Sequence, residues 1–225
     1  MPVPASTREW SVIVPLKPWH VAKSRLAVDS QSRTALAEAF ARDVLEIVAM
    51  SSYVGQLVVV SAEPTLTVPR AGKAIILRPP TTGLNAAISF GSRWVRRTRP
   101  GPVAVVPGDL PALTLPVFED ALKAATSFDR AHVPDRDGKG TTILTAADPC
   151  ALSPNYGPDS ARRHAVAGSH VMTGVDIRTR CDIDTIADLA HAQTLGVGKH
   201  SAEAIRNVEF CRMWGRREPR RPATI

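Results

Sequence analysis

The sequence predicts an α/β domain with a mainly parallel central sheet flanked by helices, and three observations carry that prediction. Short runs rich in valine and isoleucine, such as Val12-Ile13-Val14, Leu57-Val58-Val59-Val60 and Val103-Ala104-Val105-Val106, are bounded by turn residues, as strands buried on both faces are. Other segments place apolar residues at helical spacing, for example Leu36, Phe40, Val44, Ile47 and Val48. The two kinds of segment alternate along the chain, as they do in α/β sheets.

In order, a first strand over 10–16 leads into a basic loop through Arg25 and a helix over 33–50. Strands follow over 56–62 and 73–78, and Pro79, Pro80 and Gly83 break the chain before a helix over 85–97. The run from Pro102 ends as a buried strand at Gly108-Asp109, and Pro116 opens a helix to 125. Strands are expected near 131–133 and over 141–146, then a short helix over 158–166. Residues 180–184 read as extended. Thr185-x-x-Asp188 has the form of a helix-capping sequence, and that helix stops at Gly196.

At 225 residues, 44% hydrophobic and 22% charged, the chain has the size and composition of one globular domain. It divides into an N-terminal extension (1–9), the domain (10–205) and a basic, flexible C-terminal tail (206–225). No apolar leader opens the sequence and no run approaches the length of a membrane span, so a cytoplasmic protein is expected. Cys150, Cys181 and Cys211 are too far apart for a zinc or disulfide framework and read as buried or idle thiols. Of the net charge of +7, the tail carries an excess of +4, from six arginines against Glu209 and Glu218. A solvated tail is expected there rather than a nucleic-acid contact.

The chemistry-bearing residues fall at the ends of these elements. Asp109 lies where a strand of a parallel sheet delivers its carboxyl end to the ligand crevice, and reads as a metal or phosphate site or as a cap on the turn. Asp182 and Asp184 alternate on an extended segment, so both carboxylates share one face while Ile183 turns to the core. With Asp109 they form a cluster that calls for a hard cation such as Mg²⁺; alone, Asp184 caps the next helix and Asp182 is merely exposed. Lys17, Lys23 and Arg25 follow the first strand, either as a polyphosphate seat without P-loop spacing or as an exposed basic loop. Asp135-Arg136-Asp137-Gly138-Lys139-Gly140-Thr141 and Tyr156-Gly157-Pro158-Asp159-Ser160 supply glycine turns, where Gly140, Thr141, Gly157 and Ser160 either clasp a small anion or form ordinary turns. Gly83, before Asn85, either admits a nucleotide base close to the backbone or begins a helix.

Taken in order, Lys17 with Ala22-Lys23-Ser24-Arg25-Leu26, Gly83-Leu84-Asn85, Gly108-Asp109-Leu110-Pro111, Gly140-Thr141-Thr142, Gly157-Pro158-Asp159-Ser160 and Asp182-Ile183-Asp184-Thr185 resemble the phosphoenolpyruvate or 2-phospho-L-lactate guanylyltransferase family of coenzyme F420 biosynthesis. The resemblance spans about 10–205. It implies a single-domain, Rossmann-like nucleotidyltransferase fold and transfer of GMP from GTP to phosphoenolpyruvate, giving enolpyruvoyl-2-diphospho-5'-guanosine and pyrophosphate. The alternatives are 2-phospho-L-lactate or 3-phosphoglycerate as acceptor, or a molybdopterin-type nucleotidyltransferase. It further implies Mg²⁺ on Asp109, Asp182 and Asp184, with Asp109, Lys17 and Lys23 carrying catalysis. Lys17, Lys23, Arg25, Gly83 and Asn85 would bind the nucleotide, and Thr141, Gly157 and Ser160 the acid. A transient hand-off of a labile product to the downstream F420 transferase is expected. The chain departs from the broader nucleotidyltransferase pattern in lacking a glycine-rich loop after the first strand, and the tail has no counterpart there.

Overall fold

The computed structural model of the chain describes residues 9–69 and 72–214, the side chains of 209–214 excepted. Its centre is a seven-stranded sheet in the order β3-β2-β1-β4-β6-β5-β7. The strands are β1 (Trp10–Leu16), β2 (Val54–Ser61), β3 (Ala74–Leu77), β4 (Val103–Val105), β5 (Arg130–Pro134), β6 (Thr141–Ala146) and β7 (His170–Val171). Neighbours are parallel except where β6 runs antiparallel to both β4 and β5. The chain leaves β1 for β2 and β3 on one side, then returns to β4 on the other, so the strand order reverses between β1 and β4. Crevices at the carboxyl ends of strands at such a point are where open α/β sheets bind ligands.

The helices are α1 (Ser30–Met50), α2 (Leu84–Thr98), α3 (Leu115–Ala125), α4 (Ser160–Val166), α5 (Ile186–Leu195) and α6 (Lys199–Trp214). Alternation along the strands decides which helices meet which face. Val12, Val14, Leu57 and Val59 pack with Val44 and Val48 of α1 and with Phe118 and Leu122 of α3. Ile13, Val58 and Val60 pack with Ile88 and Val95 of α2. Gly91 lets α2 lie close to the sheet, since a Cβ there would stand 3.0 Å from Val60 Cγ2 and 3.1 Å from Ile13 Cγ2. A third apolar cluster joins Leu36 and Phe40 of α1 to Ile183, Leu189 and Ile205.

Several boundaries differ from expectation for local reasons. Helix α1 starts at Ser30, because the Asp29 carboxylate accepts the Ser32 amide at 2.9 Å and caps it earlier than the apolar spacing suggests. Helix α4 starts at Ser160, because Asp159 takes a left-handed conformation (φ +54°) that no helix continues. Strand β4 ends at Val105, so Asp109 stands in the loop beyond it rather than at the strand's last residue. Residues 181–183 belong to neither strand nor helix. Helix α6 runs on to Trp214, across the boundary expected at 206; residues 1–8 of the extension and 215–225 of the tail lie outside the described residues. Among the described residues no helix is long and apolar enough to cross a membrane.

Candidate active site

A cleft of about 700 Å³ opens over the crevice between β1 and β4. Its lining brings together Lys17, Lys23, Arg25, Asp109, Thr141, Gly157, Ser160, Asp182 and Asp184, drawn from across most of the sequence. Gly83 and Asn85 stand at the start of α2, where Leu84 alone of the three lines the cleft.

One wall carries the three cations of the loop after β1 together with Asp109, Asp182 and Asp184. The loop after β1 is folded by a short 3-10 turn (Trp19–Val21), whose first amide donates to Glu63 Oε2 at 2.9 Å. This turn presents Lys23, in the left-handed region at φ +55°, a conformation costing a non-glycine residue about 1–2 kcal/mol. Interactions of its ammonium hold it there. Lys23 Nζ donates to Asp109 Oδ2 and to the Ile183 carbonyl oxygen, and lies 4.0 Å from Asp184 Oδ1. Arg25 Nη1 is 3.3 Å from Asp184 Oδ2. The Ile183 amide donates to the Asp109 carbonyl at 3.1 Å, so the 109 loop and the 182–184 segment are joined through their backbones. That join, rather than a sheet ladder, brings the three aspartates together.

Asp182 is the most perturbed of these carboxyls. Burial, and then the charges of Asp109, Asp184 and Asp135, push it up to about 7 against the pull of Lys23. Asp109 Oδ1 is buried with no hydrogen-bond partner. An orphaned carboxylate oxygen beside a carboxyl whose pKa is raised by burial and by neighbouring carboxylates is an environment that a divalent cation relieves. Among the described residues no three His, Cys, Asp or Glu side chains are gathered tightly enough to hold a metal by themselves. Such a partial ligand set fits Mg²⁺, which keeps waters and takes substrate phosphate oxygens beside one or two carboxylates.

The other wall is built of hydrogen-bonded turns. Because β6 is reversed, its first residue, Thr141, lies at the same end of the sheet as the carboxyl ends of β1, β4 and β5. The Asp135 carboxylate fixes the turn before it, accepting the amides of Lys139 at 2.9 Å and Gly140 at 2.7 Å. Gly157 adopts φ +125°, a conformation that disfavours side chains, and Ser160 opens α4 with 2% exposure. The Asn85 amide, expected at the nucleotide, is committed to this wall: its Oδ1 accepts the Tyr156 amide at 2.9 Å and its Nδ2 donates to the Tyr156 carbonyl at 3.0 Å. The Tyr156 hydroxyl donates to the Thr142 carbonyl at 3.2 Å, and burial raises its pKa well above the usual phenol range. The sequence assigns no role to Asp135, Tyr156 or His164, although Asp135 and Tyr156 each open one of the two glycine turns it marks out.

A family model described as Guanylyl transferase CofC like matches residues 10–220. The chain is 38% identical over 205 residues to a phosphoenolpyruvate guanylyltransferase of Streptomyces coelicolor, covering 86% of this chain and 94% of that protein. It is 40% identical over 195 residues to phosphoenolpyruvate guanylyltransferase 2 of Rhodococcus jostii, covering 86% and 88%. Among solved structures, one described as a nucleotide-diphospho-sugar transferase from Desulfovibrio desulfuricans G20 matches with a TM-score of 0.67 at 16% identity, covering 92% of this chain and 98% of that one. A 4-diphosphocytidyl-2C-methyl-D-erythritol synthase from Anaerococcus prevotii matches with a TM-score of 0.53 at 12% identity, covering 84% and 96%. These two likenesses establish the nucleotidyltransferase-like fold.

Proposed function

The chain belongs to the CofC-like guanylyl transferase family, and from that premise we propose that it joins the GMP moiety of GTP to phosphoenolpyruvate in coenzyme F420 biosynthesis. The observation that carries this reading is the two-walled cleft, cationic and acidic on one side and lined by Thr141, Gly157 and Ser160 on the other. The names of the relatives support phosphoenolpyruvate as the acid.

In this reading an oxygen of the acid's phosphate attacks the α-phosphorus of GTP in line. The new P–O bond forms as the bond to the β-phosphate bridge breaks, and pyrophosphate leaves. A phosphate monoester with a second pKa near 6 is already largely dianionic at neutral pH, so no general base is required. The difficulty is bringing two polyanions together, and catalysis is positioning and charge neutralisation. Lys17, Lys23 and Arg25 hold the triphosphate, Gly83 lets the base approach the backbone, and Thr141, Gly157 and Ser160 seat the acid. Asp109, Asp182 and Asp184 would hold Mg²⁺, which when bound neutralises phosphate charge. The product is then passed to the downstream transferase.

The test is pyrophosphate release with Mg²⁺, crossing GTP, ATP and CTP against phosphoenolpyruvate, 2-phospho-L-lactate and 3-phosphoglycerate, with the downstream transferase and its acceptor present to trap a labile product. GTP with phosphoenolpyruvate is expected to give the highest kcat/KM. Asp109→Asn is expected to lower kcat by about a hundredfold or more, on the scale of removing one electrostatic stabiliser of a transition state, without unfolding the protein. Near-normal turnover in that variant rules out the metal assignment.

A further inference from the structure

Behind Thr141 lies a buried polar chain that the proposed reaction does not use. The Asn155 backbone amide donates to His164 Nε2 at 2.9 Å, and His164 Nδ1 stands 2.9 Å from Thr141 Oγ1. His164 is 1% exposed. Its ring is flanked by Tyr156, edge-on at 5.2 Å, and by His132 at 5.6 Å.

The tautomer follows from the backbone. An amide N–H can only donate, so Nε2 must present a lone pair, and a neutral imidazole then carries its one proton on Nδ1. Burial, and then the charges of His132 and Arg163, bring the His164 pKa down to about 4, so the ring is neutral at pH 7. Nδ1–H therefore donates to Thr141 Oγ1. A hydroxyl that accepts from behind keeps its own hydrogen for another partner, and Thr141 lines the cleft.

We propose that His164 is a positioning residue that fixes the Thr141 hydroxyl as a hydrogen-bond donor into the cleft, favouring a carboxylate oxygen of the acid over a group such as an ammonium that can only donate. The inference rests on the placement of the acid at Thr141 and adds what sets the polarity of that contact. Fixing the rotor in advance removes an ordering cost on binding and denies the hydroxyl the alternative of donating backward to the imidazole. The expected consequence falls on acid binding, with nucleotide binding untouched.

The experiment uses the full chain and compares two substitutions that each keep half of the histidine's hydrogen bonding. His164→Asn keeps an N–H at the position of Nδ1, facing Thr141, and loses the acceptor for Asn155. His164→Gln carries a carbonyl to the position of Nε2 for the Asn155 amide and offers Thr141 no donor. His164→Gln is expected to raise the KM for phosphoenolpyruvate about tenfold, the scale of one hydrogen bond to a charged group, with the KM for GTP and kcat unchanged. His164→Asn is expected to recover most of that loss. The opposite ranking, or two variants alike, overturns the proposal, because a residue that only braces the 153–157 loop needs the Nε2 acceptor. Should neither variant fold, nitrogen-15 spectra of the histidines in the unmutated protein decide: a protonated Nδ1 and bare Nε2 at pH 7 are expected, and the reverse overturns it. Absence of pyrophosphate release from GTP and phosphoenolpyruvate defeats the proposed function instead. If Thr141→Val raises the acid's KM while His164→Gln does not, only the present inference fails.

Discussion

At the residue scale, Asp182 exposes a tension between holding a cation and holding the fold. Its carboxyl is pushed up to about 7, first by burial and then by three neighbouring carboxylates, whereas in an unfolded chain it titrates near 4. The folded, metal-free protein thus binds this proton more tightly than the unfolded one. The associated stability is fully present below the unfolded value and is lost as pH rises through about 7. Asp182→Asn removes that loss, and is expected to stabilise the metal-free protein at pH 8 by about 1–2 kcal/mol and by little at pH 4. Denaturation in the presence of a chelator at both pH values measures it; equal effects at the two would contradict the assignment. The same variant is expected to lose turnover, so stability and activity move in opposite directions. The acidic pair and the cations near it were legible in the sequence because their meaning lies in residue type and short spacing. The contacts of Asn85 and His164 were not, because their partners, Tyr156 and Thr141, are 71 and 23 residues away.

At the element scale, what positions the site is how helix and turn ends are tied together. The Thr185 box was readable from its spacing and is present, with the Thr185 amide donating to Asp188 at 2.8 Å. The same Asp188 carboxylate accepts the Asp184 amide at 3.2 Å and pairs with Arg136 at 2.8 Å, so the start of α5 also sets Asp184 beside the 135–140 turn. Boundaries were less legible, because caps such as Asp29 and left-handed residues such as Asp159 act through backbone geometry rather than apolar pattern. Asn85 ties the first turn of α2 to the loop bearing Gly157. Asn85→Ala is therefore expected to raise the KM for the acid several-fold, about the scale of losing one or two buried hydrogen bonds, and to leave the KM for GTP nearly unchanged. Steady-state kinetics with each substrate varied in turn would show it, and a change confined to GTP would restore Asn85 to the nucleotide.

At the scale of the whole molecule, alternating strands and helices sufficed to predict the mainly parallel sheet, and the position of the crevice followed from the strand order. The reversal of β6 was not readable, since a buried strand has the same apolar composition in either direction. That reversal has an evolutionary consequence. Under the proposed assignment, residues 130–166, from β5 through β6 to α4, carry the acid's wall of the cleft, while the loop after β1 carries the cations proposed for the triphosphate. Recognition of the two substrates would then fall mostly on separate stretches of chain, with Asn85 of α2 tied to the acid's wall. Replacing 130–166 with the matching stretch of a family member that uses another acid is expected to transfer acid preference, read as a ratio of kcat/KM values, with GTP preference retained. Loss of nucleotide preference in the chimera would show the halves to be interdependent. A division of this kind would let a lineage change the acid it consumes by altering one continuous stretch of its gene, with the machinery proposed for GTP inherited intact.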